Sequence, residues 1–410
     1  MESKYGLIGK KLGHSFSVPI HNMLGNNDYI LCEVAPEELC SFINAKKFCG
    51  INVTIPYKTD VMPWIDHISE RAQKIGSVNT IVNKNGVLYG DNTDYFGFSY
   101  MAKKAGISFN NKKVVILGTG GTCLTAKAVC RDEGAREIIV VGRKEENNYS
   151  NLYLHYDADI IINTTPVGMY PNVEDSVINL NDFKKVYGVI DVIYNPICTN
   201  ILLAAKKLGI RYTNGMPMLV AQAKLAHELF FDTKVEDSEI DRITNALEFE
   251  KKNIVFIGMP GSGKTTLATA IADKLSRKLC DTDEMIMDAK GCSIPEIFRD
   301  KGEEYFRNAE TLQIKKASLY NGYVIATGGG AVLREENRKA LMRNSLIIWL
   351  RADAEKLATE GRPLSKDLKT LKAMEKVRYP LYRECADITV DVDHSDTQKN
   401  IDIIEKKLFE

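Results

Sequence analysis

The chain has no surplus of either charge, no long apolar run and no leader-like start. Its 54 lysines and arginines balance 54 aspartates and glutamates, so no basic excess would draw the protein to nucleic acid or an anionic membrane. No apolar stretch reaches the length that spans a bilayer. Residues 1–6 lead straight into a strand-like pattern instead of a signal-peptide core. We therefore expect small molecules as partners, with no nucleic acid and no membrane.

Paired cysteines are also missing from the sequence. The nine cysteines form no C-x-x-C pair and do not cluster with the six histidines. Scattered cysteines in a chain of 410 residues indicate free thiols in a reducing compartment, so we expect a cytoplasmic protein without a structural metal. The length favours two or three domains, each with its own core.

Residues 258–265 carry the most specific pattern, G-x-x-x-x-G-K-T. An apolar run precedes it and a helical run over 266–275 follows it, which is the strand, loop and helix of a phosphate-binding loop. Inward backbone N–H groups and the helix N-terminus suit phosphate. A plain glycine turn is the alternative. The pattern predicts a site for ATP and Mg²⁺, with Lys264 on the β- and γ-phosphates and Thr265 on the metal. The residues expected to form this site are Gly261, Ser262, Gly263, Lys264, Thr265 and Thr266.

The first hundred residues hold polar groups at expected strand and helix ends. Ser15 and Ser17 precede a helix that should start at Pro19, and capping of that helix is the alternative role for both. Residues 50–55 predict a strand that stops at Pro56, with Asn52 and Thr54 on the face opposite Ile51, Val53 and Ile55. Lys58 then follows at the carboxyl end of the strand, where open α/β sheets bind ligands.

These segments resemble the substrate domain of the shikimate dehydrogenase family. The matching motifs are S-x-S, G-x-N-V-T-x-P-x-K, G-x-V-N-T and G-x-N-T-D-x-x-G, in that order. The resemblance implies that a shikimate-type ring is bound by Ser15, Ser17, Asn52, Thr54, Asn79 and Asp94. It also implies that Lys58 and Asp94 form the catalytic pair. Reduction of a ring ketone needs a proton on oxygen as hydride reaches carbon, which a lysine beside a carboxylate can supply. Either residue could be the formal acid.

From about residue 112 the pattern alternates between strands and helices. A strand at 113–117, a glycine-rich turn, a helix to about Gly134 and a strand at 137–141 predict a dinucleotide-binding unit. The second strand is followed by Arg143 and Lys144 instead of an acidic residue, which suits a 2′-phosphate and therefore NADP(H). The expected cofactor residues of this unit are Gly118, Gly120, Gly121, Thr122, Arg143 and Lys144, and the resemblance to the dehydrogenase family implies Thr164 and Gly215 as well.

Three later segments match the same family: N-T-T-x-x-G-M at 163–169, the stretch around Tyr194 after a strand at 187–190, and G-x-x-M-L-V-x-Q-A at 215–223. The resemblance implies that Tyr194 and Gln222 contact the substrate. Tyr194 as a core aromatic and Gln222 as a helix-surface amide are the alternatives. Residues 235–252 predict an amphipathic helix with Ile240, Ile243 and Leu247 on its apolar face.

After the phosphate loop, residues 252–410 resemble the shikimate kinase family. A short strand at 278–280 leads to D-x-D, and G-E-x-x-F-R, G-G-G, R-P-L and R-x-x-L-Y follow in order. The resemblance implies Mg²⁺ near Thr265 and Asp281, Arg362 as a lid arginine, and Asp283 as base or orienter for the 3-hydroxyl. The implied shikimate ligands are Asp283, Arg307, Gly329, Gly330 and Arg378. Without the motif, Arg307 would be a surface ion-pair partner of Glu303 or Glu310.

We expect a fusion of α/β type: an α/β substrate domain (1–97 plus about 220–249), an NADP-binding Rossmann domain (98–219) and a P-loop kinase domain with a parallel sheet (252–410). The predicted function is reduction of 3-dehydroshikimate by NADPH, then phosphorylation of shikimate by ATP with Mg²⁺. Two alternatives stay open: one half acts only as a regulatory binding module, or the first half acts on quinate or a related ring acid. Arg334 and Arg338 are expected on solvated helix faces.

Overall fold

The computed structural model describes residues 4–13, 15–357, 368–393 and 395–409. The chain forms two compact units, Met1–Leu247 and Glu248–Glu410. The first unit contains a six-stranded and a five-stranded sheet, and the second contains a five-stranded sheet. The finer division at residues 97, 219 and 249 stays a prediction. In the described part of the chain, no helix combines the length and apolar character needed to cross a membrane.

The first sheet is mixed. Its strands are β1 (Tyr5–Gly9), β2 (Tyr29–Glu33), β3 (Gly50–Val53), β4 (His67–Ile68), β5 (Thr80–Lys84) and β6 (Val87–Asp91), in the order β2-β1-β3-β5-β6-β4. Strand β5 runs antiparallel to both β3 and β6. The helices of this part are α1 (Ser17–Met23), α2 (Leu39–Ala45), α3 (Glu70–Ile75) and α4 (Asp94–Lys104).

Strand β3 is shorter than its sequence pattern indicates. It ends at Val53, because the Tyr57 N–H turns back to the Thr54 carbonyl at 3.0 Å. Ile55 therefore does not share the environment of Ile51 and Val53: Ile55 is 74% exposed, whereas Ile51 and Val53 are buried. The tight turn before Lys58 lifts Ile55 out of the sheet.

The second sheet is fully parallel. Its strands are β7 (Lys113–Leu117), β8 (Glu137–Val141), β9 (Ile160–Asn163), β10 (Gly188–Asp191) and β11 (Arg211–Thr213), in the order β11-β10-β9-β7-β8. The helices that follow are α5 (Gly121–Asp132), α6 (Asn200–Lys207), α7 (Met216–Phe231) and α8 (Ser238–Lys251). Every residue of β7 is buried, and alternate residues enter two apolar clusters on opposite faces. This is the burial that helix-covered parallel strands require.

The sheet of the second unit is also parallel. Its strands are β12 (Asn253–Gly258), β13 (Leu279–Asp281), β14 (Val324–Ala326), β15 (Ser345–Arg351) and β16 (Ile388–Asp391), in the order β13-β14-β12-β15-β16. Its helices are α9 (Lys264–Lys274), α10 (Thr282–Lys290), α11 (Ile294–Ala317), α12 (Glu335–Met342), α13 (Leu368–Cys385) and α14 (Thr397–Phe409). Residues of β12 alternate between two apolar clusters, so both faces of the sheet are covered. The predicted α/β fold class is confirmed.

Several other element boundaries also differ from the sequence prediction by one or two residues. Helix α9 begins at Lys264 instead of residue 266, β13 ends at Asp281 instead of 280, and β10 ends at Asp191 instead of 190. In the last two cases the terminal residue is an aspartate, which apolar patterns exclude from a strand although the backbone pairs through it.

Candidate active sites

A cavity of about 210 Å³ in the first unit gathers all of the predicted dehydrogenase substrate residues. They come from the start of α1, the end of β3, the approach to β5, the start of α4, the segment after β10 and the middle of α7. Their side chains line one space together with Leu7, Val53, Ile55, Val192, Met218 and Leu219. The cavity therefore combines polar groups that can orient a small molecule with an apolar wall.

Lys58 and Asp94 form an ion pair in this cavity. The Lys58 ammonium donates a hydrogen bond to Asp94 Oδ2, and the two side chains are 19% and 10% exposed. Asp94 is the first residue of α4, where the helix N-terminus favours a negative charge. The pair can hold a proton beside a bound carbonyl oxygen.

Buried partners fix the two asparagines of the cavity. Asn52 accepts from the Tyr29 hydroxyl at 2.7 Å and donates to Thr80 Oγ1 at 3.0 Å. Asn79 accepts from the Thr93 N–H at 2.7 Å and donates to Thr93 Oγ1 at 3.0 Å. Sequence reasoning missed the supporting residues Tyr29, Thr80 and Thr93, although the last two belong to the quoted N-T motifs.

The two serines lie at the beginning of α1. The helix begins at Ser17, and its N-cap position is Phe16, which forms no side-chain cap; the expected start at Pro19 is wrong. The Ser15 hydroxyl accepts from the Ser17 N–H at 3.2 Å and donates to the Ser17 hydroxyl at 3.0 Å. Ser15 thus makes a local bond as well as lining the cavity.

Tyr194 and Gln222 each make the local contacts of their alternative role and also line the cavity. Tyr194 packs edge-on against Phe16 with ring centroids 5.4 Å apart, and burial raises the pKa of its hydroxyl. The Gln222 amide donates to the Leu219 carbonyl at 2.9 Å. Both side chains also line the cavity, so their local packing leaves them available to a ligand.

The predicted cofactor residues lie at the carboxyl ends of neighbouring strands. Gly118 follows β7, Arg143 and Lys144 follow β8, and Thr164 follows β9. Thr122 and Gly215 line the substrate cavity, whereas the other predicted cofactor residues lie outside its lining: Gly118, Gly120, Gly121, Arg143, Lys144 and Thr164. Arg143 and Lys144 are exposed.

Close packing against neighbouring atoms requires glycine at two of these positions, Gly118 and Gly215. Gly118 has φ of 107°, and a Cβ there would lie 2.8 Å from Thr164 Oγ1; a Cβ on Gly215 would lie 2.0 Å from the Val192 carbonyl oxygen. By contrast, a Cβ on Gly120 or Gly121 would meet no described atom within 4 Å. The backbone of this turn is therefore accessible to a pyrophosphate at the start of α5, and the residues fit a dinucleotide.

A second cavity, of about 600 Å³, lies at the carboxyl end of the sheet in the second unit. It gathers most of the predicted ATP, metal and shikimate residues, namely Gly261, Gly263, Lys264, Thr265, Thr266, Asp281, Asp283, Arg307, Gly329, Gly330 and Arg378. Ser262 is fully buried inside the loop instead of lining the cavity. Arg362 lies outside the described residues.

The phosphate loop is arranged for an anion and a cation. Lys264 Nζ donates to the carbonyl oxygens of Gly258 and Met259, at 3.1 and 2.9 Å. The Thr265 hydroxyl donates to Asp281 Oδ2 at 2.9 Å. A hydroxyl beside one carboxylate fits Mg²⁺, which is usually held by few protein oxygens and by substrate phosphates.

Buried charges form the other side of this cavity. Arg307 contacts Glu310 at 2.7 Å and Glu303 at 3.1 Å. It is only 6% exposed, so the alternative of an ion-pair arginine is right in its two partners and wrong in its surface position. Arg378 donates to the Gly329 carbonyl at 3.0 Å. A Cβ on Gly330 would lie 2.2 Å from Arg307 Nη1, and the glycines therefore let the loop approach both arginines.

Two carboxylates in this cavity keep an oxygen available. Asp283 Oδ1 and Glu310 Oε1 are buried and accept no hydrogen bond from the described residues. Burial, with the neighbouring charges of Asp281 and Glu310, raises the pKa of Asp283 to about 6, and burial also raises the pKa of Glu310. Asp283 is therefore poised to take a proton near neutral pH.

Other residues of this cavity escaped sequence reasoning. Met287, Ile294, Phe298 and Phe306 give it an apolar wall, and the two phenylalanine rings lie 4.7 Å apart. Gly302, with φ of 81°, separates two helical segments of α11.

The expected solvated position of Arg338, which lies outside the cavity lining, is wrong: its side chain is 11% exposed and donates to the Val332 carbonyl at 2.8 Å. Arg334 bonds Glu304 at 2.6 Å.

The folds and cavities define an oxidoreductase of the dinucleotide-binding class followed by a P-loop phosphotransferase. Residues 7–81 match the family model of the shikimate dehydrogenase substrate binding domain, and residues 260–408 match that of shikimate kinase. The chain is 38% identical over 267 residues to shikimate dehydrogenase (NADP(+)) of Clostridium beijerinckii, covering 60% of this chain and 99% of the relative.

Solved structures agree with this likeness. Shikimate dehydrogenase 1 from Peptoclostridium difficile is 38% identical, with a TM-score of 0.55, over 59% of this chain and 97% of that one. A chorismate mutase/shikimate 5-dehydrogenase fusion protein from Clostridium acetobutylicum is 38% identical, with a TM-score of 0.57, over 60% and 96%. The chain belongs to the shikimate dehydrogenase family and carries a shikimate kinase domain as its second unit.

Proposed function

We propose that the chain catalyses two consecutive reactions. The first unit reduces 3-dehydroshikimate to shikimate with NADPH, and the second transfers a phosphoryl group from ATP to the 3-hydroxyl of shikimate. The observation that carries this proposal is the Lys58–Asp94 hydrogen bond within a polar cavity, in a chain whose second unit holds a phosphate loop. The product of the first site is the substrate of the second.

In the first reaction, bound NADPH supplies the hydride. The ring is held by Asn52, Asn79 and the two serines at the start of α1 and just before it, which can bond its hydroxyls and carboxylate. Lys58 and Asp94 deliver the proton to the ketone oxygen as negative charge develops there. Because both side chains are largely buried, water competes little for that oxygen.

NADP(H) is the cofactor that the residues favour. Arg143 and Lys144 are exposed at the carboxyl end of β8, where a 2′-phosphate would lie in this type of fold. A guanidinium can bind two phosphate oxygens at once. Similar dehydrogenases carry NADP(+) in their names, in agreement with this assignment.

In the second reaction, ATP supplies the phosphoryl group; Thr265 and Asp281 would hold Mg²⁺, which would neutralise phosphate charge. Lys264 binds the β- and γ-phosphates. Arg307 and Arg378 bind the shikimate carboxylate, and Asp283 accepts the proton of the attacking hydroxyl. Arg362 is assigned to the transferring phosphate from its sequence motif.

The proposal includes the arrangement and the compartment. We assign the substrate domain to residues 1–97 plus about 220–249, the NADP-binding domain to 98–219 and the kinase to 252–410. All nine cysteines are free thiols, which supports a reducing cytoplasm.

One reaction tests the proposal. Purified full-length protein is incubated with 3-dehydroshikimate, NADPH and Mg·ATP, and products are identified by mass spectrometry with single omissions. Shikimate 3-phosphate should form only when both NADPH and ATP are present. Shikimate accumulating with ATP present would reject the kinase assignment. Oxidation of NADPH by the 3-keto form of quinate but not by 3-dehydroshikimate would reject the assignment of the first reaction.

A further inference from the structure

Asp191 is a buried carboxylate that the reactions proposed above do not use. It ends β10 and has no exposed surface. Its Oδ1 accepts from Asn163 Nδ2 at 3.0 Å and from the Ile193 N–H at 3.1 Å, and its Oδ2 accepts from Thr199 Oγ1 at 2.6 Å. Burial raises the pKa of Asp191 to about 6, although these hydrogen bonds act in the opposite direction.

The first of these bonds reaches the segment that follows β9. Asn163 is the register partner of Asp191 on the neighbouring strand. Its amide nitrogen binds Asp191, and its amide oxygen accepts from the Thr165 N–H at 3.0 Å and the Thr165 hydroxyl at 2.7 Å. Asp191 thus helps to fix, through Asn163, the position of residues 164–165, which lie next to the glycine turn after β7.

The second bond reaches the wall of the substrate cavity. The N–H of Ile193 is held by Asp191, and the Ile193 carbonyl accepts from the Gly215 N–H at 2.9 Å. The residues on either side of Ile193, Val192 and Tyr194, both line the cavity, as does Gly215. One carboxylate therefore fixes the backbone between two cavity residues.

We propose that Asp191 is a positioning residue for the reduction, holding the cofactor segment after β9 and the substrate segment after β10 in one fixed arrangement. This inference rests on the proposed dehydrogenase function. Hydride transfer requires the donor and acceptor carbons in contact, and a displacement of about 1 Å can cost about 100-fold in rate. A shared anchor keeps the two segments from shifting independently.

The chemistry of the anchor explains why a carboxylate serves here and which substitution should replace it. All three partners of Asp191 donate a hydrogen bond to it, and an ionised carboxylate suits this position because it only accepts hydrogen bonds. Asparagine could accept with its Oδ1 from Asn163 and Ile193 and donate with its amide to the Thr199 hydroxyl, which can reverse its role. Alanine would leave the three donors without their acceptor.

The test compares Asp191→Ala and Asp191→Asn in the full-length chain. Val189→Ala is the matched control, because Val189 is buried on the same strand and packs in the apolar cluster. NADPH oxidation with 3-dehydroshikimate gives kcat and both KM values, NADPH fluorescence gives the Kd without turnover, and kinase activity is measured on the same samples. We expect Asp191→Ala to lower kcat about 100-fold and to weaken NADPH binding, Asp191→Asn to stay within a few fold of wild type, and kinase activity to be unchanged.

The outcomes separate this inference from the function on which it rests. A wild-type protein that does not oxidise NADPH with 3-dehydroshikimate rejects the dehydrogenase function itself. With an active wild type, an Asp191→Ala loss no larger than that of Val189→Ala overturns the positioning role. If Asp191→Ala does not fold, Asn163→Ala decides: we expect a higher KM for NADPH than for wild type with a smaller change for the ketone substrate, and an unchanged NADPH KM overturns the inference.

Discussion

At the scale of single residues, the Lys58–Asp94 pair is the sharpest test of the reduction. Substitution of Lys58 by alanine removes the ammonium that contacts Asp94, and we expect kcat/KM for reduction to fall by about 10²- to 10⁴-fold, the usual contribution of a positioned acid or base. Lys84→Ala, at the exposed last residue of β5, is the control. Stopped-flow NADPH oxidation measures the effect; a rate equal to that of the control would remove Lys58 from the mechanism.

The pKa of Asp283 predicts the pH dependence of the kinase. A base must be ionised to accept a proton, and burial and neighbouring charges raise the pKa of Asp283 to about 6. Phosphorylation should therefore decline as the pH falls through about 6 and be fully present above about 7. The measurement is kcat/KM for shikimate from pH 5 to 8, with coupling enzymes in excess at each pH.

A variant of Glu310 separates the causes of that raised pKa. Glu310 is one of the negative charges that raise it, so Glu310→Gln should move the acidic limb of the profile to lower pH. Glu303→Gln is the matched control, because Glu303 also pairs with Arg307 but is exposed. A limb that moves equally in both variants would mean that the loss of the Arg307 ion pair, and not the charge near Asp283, controls the pH dependence.

At the scale of elements, the glycine loop after β14 is constrained by the side chains around it. A Cβ at Gly330 would overlap the Arg307 guanidinium, so Gly330→Ala should displace Arg307 and raise the KM for shikimate by at least about tenfold, as expected for the loss of a hydrogen bond to a charged group. Gly291→Ala tests backbone strain alone, since Gly291 has φ of 68° at the end of α10. That control should lower the melting temperature and leave the KM unchanged; a Gly330→Ala enzyme with normal KM would contradict the assigned role of Arg307.

Elements were predictable where local pattern determines them, and tertiary contacts decided the remainder. The apolar runs of β7 and β12 and the glycine turns after them are fixed by periodicity and turn chemistry, so the two folds and most cavity residues follow from sequence. The burial of Arg338 and the exposure of Ile55 could not be predicted from the sequence, because the first depends on distant neighbours and the second on a turn. The sequence around Tyr194 indicates no role for the nearby Asp191, since the partners of Asp191 are brought beside it by the register of β9 and β10.

At the scale of the whole chain, each unit has its own apolar clusters, and we expect each to respond to its own ligand. A ligand at 100 times its Kd stabilises its site by about 2.7 kcal/mol, which corresponds to roughly 5–10 °C for units of this size. NADPH should raise the midpoint temperature of one calorimetric transition, that of the first unit. Mg²⁺ with a non-hydrolysable ATP analogue should raise the midpoint temperature of another, that of the second unit. Lys264→Met should abolish only the second shift, because Lys264 lies in the phosphate loop, and Lys58→Met should leave both. A single transition raised equally by either ligand would contradict independent units and would show that binding at one site is coupled to folding of the other.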